Sequence, residues 1–370
     1  MTNIGNCVII YTVLGGAMKA LTLFTNVGID EWYLEKEGIE VVVANELLED
    51  RADFYRKLYP NTNMICGSIT DKDIYNDIVA ASEGVELIIA TPPCQGMSQA
   101  NALRAQKDDP RNSLIKKVVS LINDLNPKHV LIENVRGMAK TFINHNGNSV
   151  NIMDYIRDNI PKKYTINSKV LNASDYGTPQ HRNRLITLIS SEGSWEMPQK
   201  HDKKITVREA IGHLPSIEAG EKTDIPWHFG RKHNDNHILW MKHTATGMTA
   251  FDNPVHFPKT KDRVTGKVRK IKGFRTTYKR IKWDEPSPTI GMTNGSINSQ
   301  NNVHPGSLLD NGMYSDARVL SVKELTILCG LPETCFDKYE GQVTENFMRH
   351  VIGECFPPKM CLEIIKNIPK

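Results

Sequence analysis

The first half of this 370-residue chain alternates short apolar runs with segments of helical periodicity, and no other feature constrains the fold as strongly. Four apolar runs have the length of buried parallel strands, at residues 20–24, 40–44, 85–90 and 129–132. Helical patterns lie at 28–36, 48–58, 71–81, 113–125 and 150–159, and two later strands are predicted at 164–171 and 184–189. This alternation predicts an open, mostly parallel α/β sheet of Rossmann-like architecture, which binds ligands beyond the carboxyl ends of its strands.

The pattern changes near Ser190, where Pro, Gly, His, Thr and Lys become frequent and long periodic segments become rare. Helical periodicity returns at 321–329 and at 347–365. We therefore predict a main domain over 18–192 and a smaller, irregular domain over 193–340. Residues 1–17 precede the first strand and are predicted to be a dispensable leader.

Composition excludes several classes of protein. Apolar residues make up 39% of the chain and charged residues 24%, which is enough for a globular core and too apolar for wholesale disorder. No apolar run approaches the ~20 residues of a membrane span. The seven cysteines form no C-x-x-C pair, and none pairs with histidine at zinc-finger spacing. We therefore expect a protein of the reducing cytoplasm with no metal site and no membrane partner.

Positive charge is concentrated in one segment. Between His228 and Lys282 the chain has fourteen Lys/Arg and three Asp, a local +11 in a protein whose net charge is only +4. The remainder therefore carries −7. Such asymmetry favours a polyanionic partner, although charge alone also allows a solvated lysine-rich loop.

Two reactive side chains are predicted at the ends of neighbouring strands. Cys94 lies in the loop TPPCQGMS at 91–98, directly after the strand at 85–90. Glu133 follows the strand at 129–132. Adjacent strands lie about 4.8 Å apart, so a thiol nucleophile and a carboxyl proton donor can emerge side by side. Taken singly, Cys94 is also consistent with an inert buried thiol and Glu133 with a helix N-terminal carboxylate.

The motif QHRNR at 180–184 precedes the last predicted strand. Alternate residues of a strand share a face, so Gln180, Arg182 and Arg184 are predicted to point the same way. Two arginines on one face suit a phosphate, a carboxylate or a base carbonyl. A charged edge strand on the surface is the alternative for this motif alone.

Together, the PPCQ loop, the ENV that begins at Glu133 and the QxRxR motif resemble, in this order, the DNA (cytosine-5) methyltransferase family. The resemblance covers about 18–365. It implies that Cys94 attacks C6 of a flipped cytosine while protonated Glu133 binds N3, and that a methyl group passes from S-adenosyl-L-methionine (AdoMet) to C5. It also implies that Arg184 holds the base carbonyl and that Arg182 braces Glu133 or contacts a phosphate.

The same resemblance implies a set of AdoMet contacts, in a methyltransferase sheet whose pocket is completed by the returning segment 341–370. Glu46 matches the acidic residue that holds the ribose hydroxyls. Three positions depart from the family's pattern: Asn26 replaces a glycine, Ser68 an aspartate and Glu354 an asparagine. The residues predicted to bind AdoMet are Phe24, Asn26, Gly28, Glu46, Leu47, Ser68, Ile69, Pro92, Leu114 and Glu354.

The resemblance further implies that the small domain recognises the target in double-stranded DNA. Its basic side chains are expected to contact phosphates and base edges. Two more contacts are expected from a loop that closes over the flipped base. The residues predicted to bind DNA are Gln95, Ser98, Lys267, Arg269, Lys270, Lys272, Arg275, Lys279 and Arg280.

The implied protein is a sequence-specific, monomeric, cytoplasmic DNA cytosine-5 methyltransferase of the bacterial restriction–modification type, with a cognate endonuclease acting separately. Two alternatives stay open. An RNA (tRNA) cytosine-5 methyltransferase on the same scaffold is disfavoured by the large basic region. A catalytically weak DNA-binding subunit is suggested by the departures in the AdoMet motifs and opposed by the intact Cys94, Glu133 and Arg184.

Overall fold

The computed structural model describes residues 16–93, 110–262 and 264–369. Cys94, Gln95 and Ser98 lie outside these ranges. The strands formed by the described residues are β1 (Met18–Leu23), β2 (Ile39–Glu46), β3 (Asn63–Cys66), β4 (Leu87–Ala90), β5 (His129–Asn134), β6 (Phe142–His145), β7 (Asn148–Asn151), β8 (Thr165–Asn172), β9 (Asn183–Ser190), β10 (Lys259–Lys261) and β11 (Val268–Lys270). The helices are α1 (Glu49–Leu58), α2 (Lys72–Ala81), α3 (Leu114–Leu125), α4 (Ile152–Asn159), α5 (Val207–Ile211), α6 (Asp235–Lys242), α7 (Val322–Cys329), α8 (Glu345–Glu354) and α9 (Pro358–Ile365).

Seven strands form one sheet in the order β3-β2-β1-β4-β5-β9-β8. The first five strands of the sheet pair in parallel, whereas β9 runs antiparallel to both β5 and β8. The predicted mostly parallel α/β sheet is therefore confirmed. The reversal at β9 matters for the site, because it brings the amino end of β9 to the edge where the parallel strands end.

The central strands are apolar throughout because both of their faces are covered. Every residue of β4 is buried, and alternate residues belong to different cores. Ile88 and Ala90 pack in the cluster that contains the inner faces of α2, α3 and α4. Leu87 and Ile89 pack in the cluster that contains α9 and Trp195.

Two helix predictions are wrong. Residues 28–36 form successive turns and a short 3-10 helix, Glu35–Glu37, because Ile29 and Leu34 pack into different hydrophobic clusters. Residues 347–365 form two helices, α8 and α9. Pro357 separates them, since its ring is incompatible with continuing the α8 hydrogen-bond ladder. The short strand β3 was not predicted; only its Met64 is fully buried.

The segment between β9 and α7 is mostly irregular and has its own small core around Trp240, Tyr278 and Val303. Helices α7 and α8 pack together in a further cluster that also contains Val27 and Phe54 from the loop after β1 and from α1. The C-terminal helices are thereby placed against the ligand-binding edge of the sheet. Among the described residues, no helix is long and apolar enough to cross a membrane.

Candidate active site and cofactor pocket

The predicted partners Glu133 and Arg184 meet at the edge where β5 ends and β9 begins. The antiparallel register pairs Glu133 with Ile186 and Asn134 with Leu185, so Arg184 lies level with the end of β5. Arg184 Nε is 2.5 Å from Glu133 Oε1, and the two side chains are 12% and 9% exposed. The fold therefore builds a nearly buried ion pair from two motifs that lie about fifty residues apart in the sequence.

Burial dominates the electrostatics of Glu133. Loss of solvent raises the pKa of its carboxyl group, although the positive charges of Arg184 and Arg182 act in the opposite direction. A carboxyl group with a raised pKa keeps a proton closer to neutral pH. Such a group can donate a proton, or a hydrogen bond, to a ring nitrogen of a substrate.

Arg182 lies in the interior, where it is bonded to backbone carbonyl oxygens rather than exposed to solvent. It is 3% exposed, and it donates hydrogen bonds to the carbonyl oxygens of Ile290 at 3.0 Å and Gly353 at 2.9 Å. The predicted alternative of a DNA phosphate contact is incompatible with this burial. Its guanidinium still acts on Glu133 through its charge. Gln180 also bonds to Ile290, accepting from its N–H at 3.3 Å, so two residues of the motif hold one segment.

The beginning of the loop that carries Cys94 is fixed to this edge. Asn134 Nδ2 donates to the Pro92 carbonyl oxygen at 2.9 Å, and Thr91 Oγ1 donates to the Phe24 carbonyl oxygen at 3.1 Å. The predicted nucleophile itself lies outside the described residues. Asn134 was missed by the sequence analysis, although its place directly after Glu133 in the ENV motif was a usable signal.

On the cofactor side, Asn26 connects three elements. Its backbone has a φ of +55°, a conformation that asparagine tolerates better than most residues. Its N–H donates to Glu46 Oε2 at 2.9 Å, and its Nδ2 donates to the Val351 carbonyl oxygen at 3.0 Å. Asn26 Oδ1 is buried without a hydrogen-bond partner in the described part of the chain. Gly28, with a φ of +74°, has no room for a Cβ, which would lie 2.6 Å from the Tyr59 ring.

Glu46 lies at the end of β2 and is 5% exposed. Its carboxylate accepts hydrogen bonds from the backbone of Asn26, Leu47 and Leu48 at 2.9–3.0 Å. Burial nevertheless raises the pKa of the Glu46 carboxyl group. The carboxylate is thus held in one place at the ligand-binding edge.

The other predicted cofactor residues have varied environments. Ser68 Oγ lies 2.7 Å from Thr70 Oγ1, and Glu354 Oε2 lies 2.6 Å from Arg51 Nη2. Leu47 is 60% exposed, whereas Ile69 is 2% exposed and belongs to the main core. Phe24 and Leu114 are half-buried beside that core, and Pro92 is buried. Arg51 was missed, because nothing in its sequence context marks it.

Most of the predicted DNA-binding residues of the small domain are exposed. The strands β10 and β11 form a hairpin in which all six residues are exposed. Five residues of the predicted set are exposed: Lys267, Arg269, Lys270, Lys272 and Arg275. Lys279 is half-buried.

The prediction for Arg280 is wrong. This residue is fully buried, and its guanidinium donates to the carbonyl oxygens of Met241, His304, Ser315 and Asp316 at 2.8–3.3 Å. Burial lowers its pKa to about 10, so the group stays charged at neutral pH. Arg280 therefore stabilises the small core and is not accessible to DNA.

Comparison with known proteins settles the family. The family described as C-5 cytosine-specific DNA methylase matches residues 18–370. The chain belongs to this family. It is 44% identical over 357 residues to the Type II methyltransferase M1.HgaI of Avibacterium volantium, covering 95% of this chain and 98% of the relative. It is 26% identical over 371 residues to the Type II methyltransferase M1.HphI of Haemophilus parahaemolyticus, covering 97% of this chain and 89% of that relative.

Structural comparison agrees with the fold. A prophage-encoded E. coli protein assigned as a DNA modification methyltransferase has a TM-score of 0.66 at 19% identity, covering 95% of this chain and 98% of that one. The predicted activity, DNA cytosine-5 methylation, is thereby confirmed and favoured over the RNA alternative. This family and fold imply a methyl donor of the AdoMet type. The unpartnered Asn26 Oδ1 and the fixed Glu46 carboxylate, both beside the loop after β1, fit such a donor.

Proposed function

We propose that this DNA cytosine-5 methyltransferase acts through a covalent bond between Cys94 and C6 of a cytosine flipped out of double-stranded DNA. The observation that carries the proposal is the buried Glu133–Arg184 pair, formed where β5 and β9 meet. The loop that leads to Cys94 is tied to the same edge by Asn134 and Pro92. A nucleophile in the loop after β4 and a proton donor at the end of the neighbouring strand β5 match the chemistry that C6 addition needs.

In this mechanism the Cys94 thiolate forms the S–C6 bond while protonated Glu133 transfers its proton to, or hydrogen-bonds with, N3. The negative charge that would otherwise develop on the ring is neutralised, and C5 becomes nucleophilic. When bound beside Asn26 and Glu46, AdoMet would supply an electrophilic methyl group from its sulfonium, with S-adenosyl-L-homocysteine as the product that leaves. Transfer of the C5 proton to solvent, return of the N3 proton to Glu133 and breakage of the S–C6 bond then restore the aromatic ring, the protonated carboxyl group and the thiolate. Arg184 orients Glu133 and the base carbonyl.

The residues proposed to hold AdoMet lie after the carboxyl ends of β1, β2 and β3. Glu46 is suited to the ribose hydroxyls, because its carboxylate is fixed by three backbone N–H groups. Asn26 Oδ1 offers a free acceptor. Ser68 can accept from the adenine amino group in place of the family's aspartate, since its hydroxyl bonds only to Thr70 in the described structure, through the Thr70 hydroxyl at 2.7 Å and the Thr70 N–H at 3.3 Å.

The hairpin β10–β11 is the proposed main contact with DNA. Lys259 and Lys270 lie directly opposite each other in its register, and such a like-charge pair is unfavourable in isolation. Both ammonium groups lie over the Phe257 ring, at 5.6 and 4.6 Å from its centroid. A DNA phosphate beside them would relieve the repulsion. This arrangement supports DNA binding over a merely solvated loop.

A cognate restriction endonuclease, monomeric action and a cytoplasmic location belong to the same proposal. The proposal of a cognate endonuclease is supported by the similarity of this chain to the Type II methyltransferases M1.HgaI and M1.HphI.

Bisulfite sequencing of plasmid DNA from expressing cells tests the reaction. The wild type is expected to protect cytosines within one short motif, and Cys94→Ala is expected to protect none. Cys335→Ala, at a half-buried thiol beyond α7, is the matched control and should protect like the wild type. Protection that persists in Cys94→Ala would contradict the proposed nucleophile. Protected cytosines in tRNA but not in plasmid DNA would contradict the DNA substrate.

A further inference from the structure

Glu354, where the family usually has asparagine, forms an ion pair that ties two elements at the predicted cofactor pocket. Its Oε2 lies 2.6 Å from Nη2 of Arg51 in the first turn of α1. The side chains are 18% and 23% exposed for Arg51 and Glu354, so both charges remain accessible from solvent. This pair is distinct from the Glu133–Arg184 pair at the end of β5.

The pair lies beside the residues already assigned to the methyl donor. Glu354 ends α8, and Val351 in the same helical turn accepts the hydrogen bond from Asn26 Nδ2. Asn26 in turn donates its N–H to Glu46. Arg51 acts electrostatically on Glu46, which lies five residues earlier in the chain. Arg51, Glu354, Asn26 and Glu46 therefore form one continuous group at the ends of β1 and β2.

We propose that Arg51 and Glu354 recognise the amino-acid end of AdoMet, with the guanidinium on its α-carboxylate and the Glu354 carboxylate on its α-ammonium. This rests on the proposed function. A zwitterion presents one anion and one cation, and a pair of opposite charges on two neighbouring elements is complementary to both. Neither Arg51 nor this pairing is assigned by the family motifs.

Chemistry favours this occupant. A guanidinium carries five N–H donors in a planar fork suited to carboxylates, and Glu354 takes one of them at 2.6 Å. A lone Glu354 would repel the α-carboxylate, whereas the paired site is neutral overall. The charges already lie together before binding, so little side-chain ordering remains when the ligand binds.

Calorimetry with two ligands separates recognition from a structural clip between α1 and α8. S-adenosyl-L-homocysteine has the amino-acid end, whereas 5′-methylthioadenosine lacks it, and both are uncharged at sulfur. Arg51→Gln and Glu354→Gln are each expected to weaken the binding of S-adenosyl-L-homocysteine at least tenfold. Each should change the binding of 5′-methylthioadenosine less than twofold. Arg51→Lys should recover part of the loss.

Arg56→Gln is the matched control, because Arg56 lies on the same helix and pairs with Glu49 and Asp53 on the surface. It should leave both affinities unchanged. Equal losses for the two ligands, or no loss for either, would overturn the inference while leaving the proposed function standing. A wild type that binds neither ligand would overturn the proposed cofactor site and the inference with it.

Discussion

Glu133 and Glu324 are both buried carboxylates beside an arginine, yet their acidities move in opposite directions. Burial raises the pKa of Glu133, whereas the pKa of Glu324 is lowered to about 2. Burial by itself raises the pKa of both carboxyl groups. The difference must therefore lie in how many charges and donors each carboxylate meets.

Glu324 is surrounded by donors. Arg318 donates to both of its oxygens at 2.8 and 2.9 Å, and the Ser321 N–H donates at 2.7 Å as part of the capping box of α7. His304 Nε2 lies 3.6 Å away. Among the described residues, Glu133 meets Arg184 through a single short contact. A carboxylate with several hydrogen bonds is a structural anion, while one with few is available to carry a proton.

The largest expected effect concerns Glu133. Glu133→Gln keeps the shape of the protonated side chain but cannot transfer a proton, so we expect the methylation rate to fall about 10²–10⁴-fold. Because the variant removes the carboxylate that Arg184 contacts, and Arg184 is 12% exposed, the free energy of unfolding should fall by about 1–2 kcal/mol. A single-turnover assay with radiolabelled AdoMet and urea unfolding measure the two quantities.

Glu324→Gln is the counterpart that can break the comparison. It leaves the buried Arg318 with Asp316 as its remaining carboxylate partner, so it should lower the free energy of unfolding by about 3 kcal/mol, the lower end of the range for a broken buried ion pair. Protein that remains folded should keep most of its rate. A large loss of stability in Glu133→Gln, or a rate loss in folded Glu324→Gln as deep as that of Glu133→Gln, would show that the two sites do not differ as described.

The sheet was predictable because its strands are apolar on both faces, so runs such as the one at 85–90 were visible without tertiary information. The edge residues followed, since parallel strands place their carboxyl ends together. Glu133 was predictable on this ground, whereas Arg184, at the amino end of the antiparallel strand β9, was predictable only from the QxRxR motif and the family resemblance. The break between α8 and α9 was also readable in principle, from the two prolines that follow Phe356.

Other features depend on packing that no local pattern reports. Arg280 lies in a basic run and was predicted to bind DNA, but the fold surrounds it with carbonyl oxygens. Its neighbour in the sequence, Lys279, remains partly exposed. Likewise, nothing marks Arg51, on α1, as the partner of Glu354 on α8. Such long-range pairs are set by tertiary contacts.

The second prediction concerns pH and the surroundings of Glu324. Burial lowers the pKa of His304 to about 4, and the pKa of Glu324 is about 2. At these two groups the native state therefore binds fewer protons than the unfolded state at acid pH, because their pKa values in the unfolded chain are near 6.5 for His and 4.3 for Glu. The contribution of these two groups to stability should therefore fall as the pH drops below about 6.5, by about 1–3 kcal/mol at pH 4, whereas the raised pKa values of Glu133 and Glu46 act in the opposite direction.

Urea unfolding at pH 7, 5.5 and 4 measures this dependence. His304→Gln should flatten the portion between pH 6.5 and 4, while the portion below pH 4.5 remains because Glu324 is still paired. The methylation rate should depend on pH in the opposite direction to this contribution to stability. Because Glu133 must be protonated to donate, the rate should fall as the pH rises through the raised pKa of Glu133. A His304→Gln variant whose stability depends on pH as steeply as that of the wild type between pH 6.5 and 4.5 would contradict the neutral, buried His304.

The smallest expected effect separates exposed from buried basic residues in the small domain. Lys270→Gln removes one exposed ammonium from the β10–β11 hairpin and should weaken DNA binding a few-fold, with the slope of log affinity against log salt reduced by about 0.9. Its unfolding free energy should stay unchanged. Arg280→Gln, which removes a buried guanidinium from four carbonyl partners, should instead destabilise the small core.

Fluorescence titration of a labelled duplex between 50 and 200 mM salt measures the slope. Arg157→Gln, at an exposed arginine on α4 that pairs with Asp154, is the control and should leave the slope unchanged. If Lys270→Gln left the slope at its wild-type value, the hairpin would not lie on phosphates and the DNA would have to cross another face. If folded Arg280→Gln lowered the slope as much as Lys270→Gln, Arg280 would contact DNA phosphates despite its burial, and the distinction between the two residues would be wrong.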